Sequence, residues 1–256
     1  MLIMGSHLPT CMDWTFGIAL LVGFAPVFIM MDVIMKNYTY PRVENPFFKD
    51  STFFTMFVVG IVEGAVLMIV TQFFGLLDSP FAIVYMVIMA LIELMAMVVV
   101  MNLKRFRGKS DSIFYGYGLG LGMAGGMASG FAYMICMAAL NNEVVDYPAI
   151  ATYIILLSVS MTFIFGSCGT NIGEGIARHL PMQFVLQAAI PLVAYNMIFG
   201  ALWMDTNLIM FYILLVAMVA VGAFFFYRNL MVNLPAIVRD VLKMNGQKRD
   251  DIPKSR

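Results

Sequence analysis

Two acidic residues interrupt long apolar runs of this chain and are the first candidates for chemistry. Glu63 lies in FFTMFVVGIVEGAVLMIVTQF, and Glu93 lies in FAIVYMVIMALIELMAMVVV. An isolated ionised carboxylate is costly in apolar surroundings, so such a group is usually protonated, paired or hydrated. Either residue could hold helices together through hydrogen bonds, or could relay a proton, bind a ligand or take part in catalysis. The residue types alone leave both roles open.

Polar residues that could meet these carboxyl groups occur in two later apolar runs: Ser158, Ser160, Thr162, Tyr195 and Asn196. A catalytic zinc needs three protein ligands, commonly histidine together with a carboxylate. Both histidines, His7 and His179, fall outside the apolar runs, and the three cysteines have no metal-ligand spacing. The sequence therefore predicts no metal site and no cofactor.

The composition indicates that these residues belong to a membrane protein. Of the 256 residues, 62% are hydrophobic and 12% are charged, and the mean hydropathy is +0.90. A soluble domain carries about a quarter charged residues, so this chain has too much apolar surface for a water-soluble core. A net charge of zero gives no reason to expect a nucleic-acid partner. The predicted partner is the lipid bilayer, with another membrane protein as a second candidate.

The predicted architecture is an all-α, polytopic bundle of seven transmembrane helices, because each span needs about 20 mainly apolar residues. The spans are expected at residues 14–35, 52–75, 81–103, 113–140, 149–166, 182–203 and 208–227. Together they form one membrane domain at 1–227. Residues 228–256 are a polar tail, in which PAIVRDVLKM could form a short amphipathic helix at the interface.

The charges between the spans predict the orientation. All 15 Lys and Arg residues fall in the segments that follow the first, third, fifth and seventh spans. The segments on the opposite side carry Asp13, Asp78, Glu143, Asp146 and Asp205. Because basic loops favour the cytoplasmic side, we expect an N-terminus outside and a C-terminus in the cytoplasm. The chain is then a multi-pass protein of the cell membrane.

A stripe of glycines in the fourth span predicts a close helix contact. Its members recur every four residues: Gly118, Gly122, Gly126 and Gly130. Four residues advance about 400° around a helix, so these glycines form one slowly drifting stripe. Small residues let the backbone of another helix approach closely. We expect the stripe to pack against the third or the fifth span.

Several segments together resemble the PrsW-type intramembrane proteases, within the broader clan of CAAX-protease-like membrane proteins. The opening run GFAPVFIMMDVIMKNYTYPRVENPFFK resembles the first span and the proline-containing loop of that family. IELMAM, which the basic segment KRFRGK follows, stands where the family has EExxK or EExxR. GLGMAGGMA stands where the family has a GLGFAxxEN-like run. SVSMTFIFG and LVAYN resemble HxxxTxxxG and HxxxN. The resemblance covers most of the chain and implies a helical membrane domain.

The first two motifs have lost most of the acids that the resemblance would imply. Glu93 keeps the leading acid, but Leu94 and Met97 replace the second acid and the basic residue. Met127 stands at the acidic position of the second motif. Of the acids in these two motifs, only Glu93 stays a candidate catalytic residue.

The two later motifs have lost both histidines. Ser158 and Leu192 stand at the histidine positions, whereas Thr162, Gly166 and Asn196 are retained. Ser158 and Asn196 therefore join Glu93 as the candidate catalytic residues that the resemblance leaves. One glutamate and one asparagine cannot hold a catalytic metal or activate water as that mechanism needs.

Glu93 is expected inside the bundle, uncharged, with Ser158 and Asn196 as its first hydrogen-bond partners. It lies about ten residues from either end of its span, where exposure to lipid would cost about 2.5–3.5 kcal/mol. Met89 and Met97 share its helix face at i±4, so the surroundings are apolar. Its carboxyl group is too short to reach an interface.

The favoured interpretation is a degenerate, catalytically inactive PrsW-like protein that binds or scaffolds a membrane partner. One alternative is an active intramembrane peptidase that uses Glu93. Another is a small transporter or channel subunit in which Glu63 and Glu93 relay a proton or a cation. The lost histidines and acids disfavour the peptidase, and the absence of an inverted repeat argues against transport. The oligomeric state is not predicted.

Overall fold

The structure is a computed structural model that describes residues 11–140, 146–204 and 207–244, together with residues 246 and 252. Several residues used to predict the orientation lie outside this part: Glu143, Asp205, Lys248, Arg249, Lys254 and Arg256. His7 and the side chain of Asp13 lie outside it as well.

The regular elements of the described residues are all helical. They are α1 (Cys11–Met35), α2 (Asp50–Phe73), α3 (Ala82–Met101), α4 (Ser112–Leu140), α5 (Tyr147–Ala177), α6 (Pro181–Leu202), α7 (Leu208–Phe226), a π-segment (Tyr227–Asn233) and α8 (Leu234–Met244). In this part of the chain, seven helices are long and apolar enough to cross a membrane. The prediction of an all-α protein with seven apolar helices is confirmed to that extent.

Helix α5 is longer than the predicted span. The prediction ended it at residue 166, because SCGTNIGEGIA is polar and rich in glycine, yet the helix continues to Ala177. Gly169 and Gly173 in this extension lie against the backbone of α4 at Gly116 and Ser112. Packing against α4 thus stabilises a stretch whose composition alone favours a loop.

The end of α5 is set by His179, which has a left-handed φ of 60°. The amide of Leu180 donates to the carbonyl of Gly175 at 2.9 Å, and the amide of His179 donates to that of Ile176 at 3.4 Å. This hydrogen-bond pair is the Schellman motif, in which a left-handed residue satisfies the last carbonyls of a helix. At about 1.5 Å per residue, α5 is roughly 46 Å long and exceeds the ~30 Å hydrocarbon core of a bilayer.

Helix α4 is the central helix, and its buried residues run without interruption from 112 to 129. The predicted glycine stripe packs against α2, where it meets Phe53, Phe57, Ile61 and Met68. The expected partner, the third or the fifth span, is therefore wrong. Spacing shows that a helix can approach this face but does not show which helix will do so.

Two further glycines of α4, Gly116 and Gly120, face α5 instead. A methyl group added at Gly120 would overlap the backbone carbonyl of Phe165, and one at Gly122 would overlap that of Phe57. We call this set of α4 contacts the glycine core. It consists of the contacts of Gly116 and Gly120 with α5 and those of the stripe with α2. In its middle part, at Gly116, Gly120, Gly122 and Gly126, backbones touch directly, whereas the outer glycines of the stripe meet side chains of α2.

Helix α3 packs mainly against α6 and relies on longer side chains. Met86, Met89 and Met97 are buried on α3, and methionine is flexible enough to fill irregular gaps. Gly200 of α6 lies close to the backbone of α3 at Ala82, but less close than Gly122 lies to that of α2. This interface holds the Glu93 side chain.

One end of the bundle, here called the basic end, brings together the segments that follow α1, α3, α5 and α7. The amide of Lys49 donates to the Tyr115 hydroxyl at 3.1 Å. The amide of Gly108 donates to the Ile176 carbonyl, also at 3.1 Å. Helix α8 lies at this end too, with Val238 and Val241 buried.

Candidate functional site

The carboxyl group of Glu93 is fully buried between α3 and α6. Asn196 Nδ2 donates a hydrogen bond to Glu93 Oε2 at 2.8 Å. Within the described residues, Glu93 Oε1 has no hydrogen-bond partner. The structure thus contains the predicted contact between Glu93 and Asn196, which we call the carboxyl–amide pair.

Polar groups near this pair have their hydrogens engaged elsewhere. Ser160 Oγ donates to the Leu157 carbonyl at 2.8 Å, so the Tyr195 hydroxyl, 2.9 Å away, is the donor to Ser160. The Cys168 thiol donates to the Ala188 carbonyl at 3.6 Å. Each of these hydrogens is already donated to another acceptor. Glu93 therefore has one strong donor, the amide of Asn196.

Ser158 has a structural role away from Glu93. Its hydroxyl lies on two α1 carbonyls, 2.8 Å from Val22 O and 3.2 Å from Gly23 O. Helix α1 contains Pro26, which has no N–H to offer the Val22 carbonyl four residues earlier. Ser158 supplies the missing donor, so the prediction that it would bond to Glu93 is wrong.

Glu63 lies in a different interface from Glu93. It is partly buried on α2, which packs chiefly on α4, whereas α3 packs chiefly on α6. Gly60 and Gly64 beside it lie against the α4 backbone at Leu119 and Met123. Glu63 Oε2 has no hydrogen-bond partner in the part of the chain that the structure describes.

The residues at the remaining motif positions do not fit a catalytic metal. Met127 and Leu192, where the resemblance places an acid and a histidine, are buried and apolar. The carboxyl–amide pair offers one carboxylate and one amide, without the nitrogen ligands that catalytic zinc usually takes. Among residues 11–140, 146–204 and 207–244, no three His, Cys, Asp or Glu side chains are grouped to hold a metal ion.

A cleft of about 580 Å³ with both polar and apolar walls opens at the basic end, between the end of α5, the start of α6, the π-segment and α8. Four amide side chains line it: Asn171, Gln187, Asn229 and Asn233. Asn229 Nδ2 donates to Asn171 Oδ1 at 3.1 Å and ties the π-segment to α5. We call this the basic-end cleft.

The π-segment gives the cleft one of its walls. Pro235 follows it and offers no N–H to the carbonyl of Met231. Regular α-helical hydrogen bonding is therefore interrupted here. A π-helix bonds residues five positions apart, so Arg228 and Asn233 lie on one face, and both line the cleft. Such segments are rare and often occur at functional sites.

Charged residues at the cleft differ in how firmly they are paired. Glu174 is buried, with Oε1 2.7 Å from Nε of Arg178. Arg178 also reaches Asp240 Oδ2, but at 3.7 Å, and the Asp240 side chain is 58% exposed. Within the described residues, Arg228 is exposed and has no ion-pair partner. Arg228 and Asp240 are thus available to a ligand.

Sequence reasoning missed this cleft because it assigned Asn171 and Glu174 to a loop. One signal was present: Gly166, Gly169 and Gly173 recur at helical spacing, as in a small-residue contact face. For the wall of the cleft that the π-segment forms, Pro235 is the one signal in the sequence.

No protein-family model matches this chain, and no curated protein or solved structure matches it.

Proposed function

We propose that this chain is a non-catalytic, PrsW-like integral membrane protein that binds a membrane component, with the basic-end cleft as its binding site. The observation that carries this proposal is that the motif positions serve the packing of helices. Glu93 and Asn196 bond to each other, and Ser158 bonds to carbonyls of α1. A metal-dependent protease needs these positions for ligands and for activating water.

The proposed orientation follows the positive-inside rule, with the N-terminus outside the cell and the basic end in the cytoplasm. Segments with Lys and Arg gather at the basic end, as the contact of Lys49 with Tyr115 and that of Arg178 with Asp240 illustrate. The basic-end cleft then opens at the cytoplasmic face of the cell membrane.

A proton or cation relay is the second candidate, and one observation favours it. Glu63 Oε2 and Glu93 Oε1 both lack a hydrogen-bond partner within the described residues. Ionisable residues inside membrane helices often mark proton pathways. The two carboxyl groups lie in different interfaces, which weakens this candidate.

Two measurements on the purified protein and its Glu93→Gln variant distinguish these functions. We expect no stoichiometric zinc by metal analysis after gentle purification. We also expect no proton or cation flux above that of empty vesicles when the protein is reconstituted in liposomes. Glu44→Gln, an exposed loop carboxylate, is the matched control. One zinc per chain that is lost in Glu93→Gln would favour the peptidase, and a flux lost in that variant alone would favour the relay.

A further inference from the structure

The basic-end cleft offers a ligand one cation and one anion. Arg228 is unpaired within the described residues, and Asp240 is held only by the 3.7 Å contact with Arg178. Glu174, with its 2.7 Å ion pair, is already neutralised. Formal charges of Arg178, Arg228, Glu174 and Asp240 cancel, so a ligand that also has no net charge leaves no charge unpaired.

The cleft also extends from the bundle end toward the apolar surface of the bundle. Its lining includes Gln187 and Ile190, which lie about 9 and 14 Å along α6 from Pro181 at 1.5 Å per residue. Ile190 is 71% exposed on the outside of the helix bundle, where a membrane helix meets lipid. A ligand that fills the cleft therefore needs a charged part at Arg228 and an apolar part beside Ile190.

Amide groups between these two regions suit a phosphate and its esters. Asn229 and Asn233 lie on the π-segment beside Arg228, and Gln187 lies across the cleft on α6. Amide N–H groups and a guanidinium can together donate to phosphate oxygens.

We propose that the basic-end cleft binds a phospholipid whose headgroup carries both a phosphate and a primary ammonium, as phosphatidylethanolamine does. The proposal rests on the proposed binding function and names its ligand. Arg228 contacts the phosphate, Asp240 accepts hydrogen bonds from the ammonium, and the acyl chains lie along α6 at Ile190. A cleft of about 580 Å³ is within the range of small-molecule sites.

The charges of the cleft distinguish this lipid from its common relatives. A lipid with an anionic headgroup such as phosphatidylglycerol has no cation for Asp240. Phosphatidylcholine has the same net charge but a quaternary ammonium with no N–H to donate. A charge-assisted hydrogen bond contributes enough for about a tenfold change in affinity, so both relatives should bind at least about tenfold more weakly.

Native mass spectrometry of the full-length protein in detergent tests this with an equimolar mixture of the three lipids carrying identical acyl chains. We expect one phosphatidylethanolamine to be retained per chain. Arg228→Gln and Asp240→Asn should each weaken its retention about tenfold. Arg239→Gln, an exposed charge on α8 outside the cleft lining, should leave it unchanged. Arg228 and Asp240 are exposed, so the variants should fold, and their melting temperatures verify this.

Three results would overturn the proposal. One is equal retention of all three lipids or a preference for phosphatidylglycerol. Another is an Arg239→Gln effect as large as that of Arg228→Gln, which would indicate general charge attraction. The third is free phosphoethanolamine displacing the lipid at similar concentration, which would identify a soluble ligand as the occupant. Zinc or Glu93-dependent flux would instead overturn the non-catalytic function, with the lipid preference unaffected.

Discussion

The glycine core and the α3–α6 interface hold membrane helices together by opposite means. In the glycine core, the backbone of α4 touches those of α2 and α5, with Gly122 directly against the Phe57 carbonyl. At the α3–α6 interface, methionines fill the space and one hydrogen bond, from Asn196 to Glu93, fixes the pairing. Lipid gives no hydrophobic driving force between helices, so each interface depends on its own packing or hydrogen bonds. The first should tolerate almost no added volume, and the second should adapt.

The largest effect is expected from Gly122→Ala. Its new methyl group would overlap a backbone carbonyl that cannot rotate away, so we expect a loss in unfolding free energy at the upper end of the roughly 1–3 kcal/mol that overpacking usually costs. Folded yield and melting temperature in detergent measure this. Gly17→Ala is the matched control, because nothing lies within 4 Å of its added Cβ. Equal melting temperatures would mean that α2 and α4 lie farther apart than described.

A smaller loss is expected from Asn196→Leu, which removes the donor to Glu93 and keeps the branched shape of the side chain. Hydrogen bonds between membrane helices contribute about 0.6 kcal/mol on average and up to about 1.7 kcal/mol, so a loss of about 1 kcal/mol is expected. The double variant Glu93→Leu with Asn196→Leu should regain much of it, because no buried acceptor is then left unpaired. A double variant less stable than the single one would contradict this account.

Gly200→Ala tests how the α3–α6 interface tolerates the methyl group that Gly122→Ala adds to the glycine core. Its added Cβ would lie 3.1 Å from the Ala82 carbonyl oxygen, from Cα of Ile83 and from Cγ of Met86, which is tight but lacks the overlap found at Gly122. Alanine also favours the helix by about 1 kcal/mol. Thermal melting should therefore show a change of no more than about 1 kcal/mol in either direction. A loss as large as that of Gly122→Ala would show that α3 and α6 also depend on direct backbone contact.

The smallest effect is expected from Glu93→Gln. Glutamine keeps an oxygen that accepts the Asn196 hydrogen bond, so the unfolding free energy should change by less than about 0.5 kcal/mol. Chemical denaturation in mixed micelles can resolve this. A large stabilisation would show that Glu93 is held ionised at a cost, and a large loss would show that both its oxygens have partners.

Local properties of the sequence predicted part of this molecule well. The cost of burying a carboxyl group placed Glu93 inside the bundle, and the resemblance to PrsW-type motifs, rather than any local property, suggested Asn196 as its partner. Helical spacing identified the glycine stripe, but spacing cannot choose a partner helix, and the stripe faces α2. The end of α5 was missed because residues 167–177 are polar, and their packing against α4 depends on distant residues. Ser158 was misassigned because its acceptor, the Val22 carbonyl, is free to accept only where Pro26 removes the helical donor.

The bond between Ser158 and Val22 also has a consequence for how the protein is made. Ser158 follows Val22 by 136 residues, and a ribosome adding about 5–20 residues per second needs roughly 7–27 s to cover that distance. During this interval the Val22 carbonyl lacks both its helical donor and the hydroxyl that replaces it. An unsatisfied carbonyl is costly in hydrocarbon, so water or the insertion machinery has to shield the first helix until the fifth arrives.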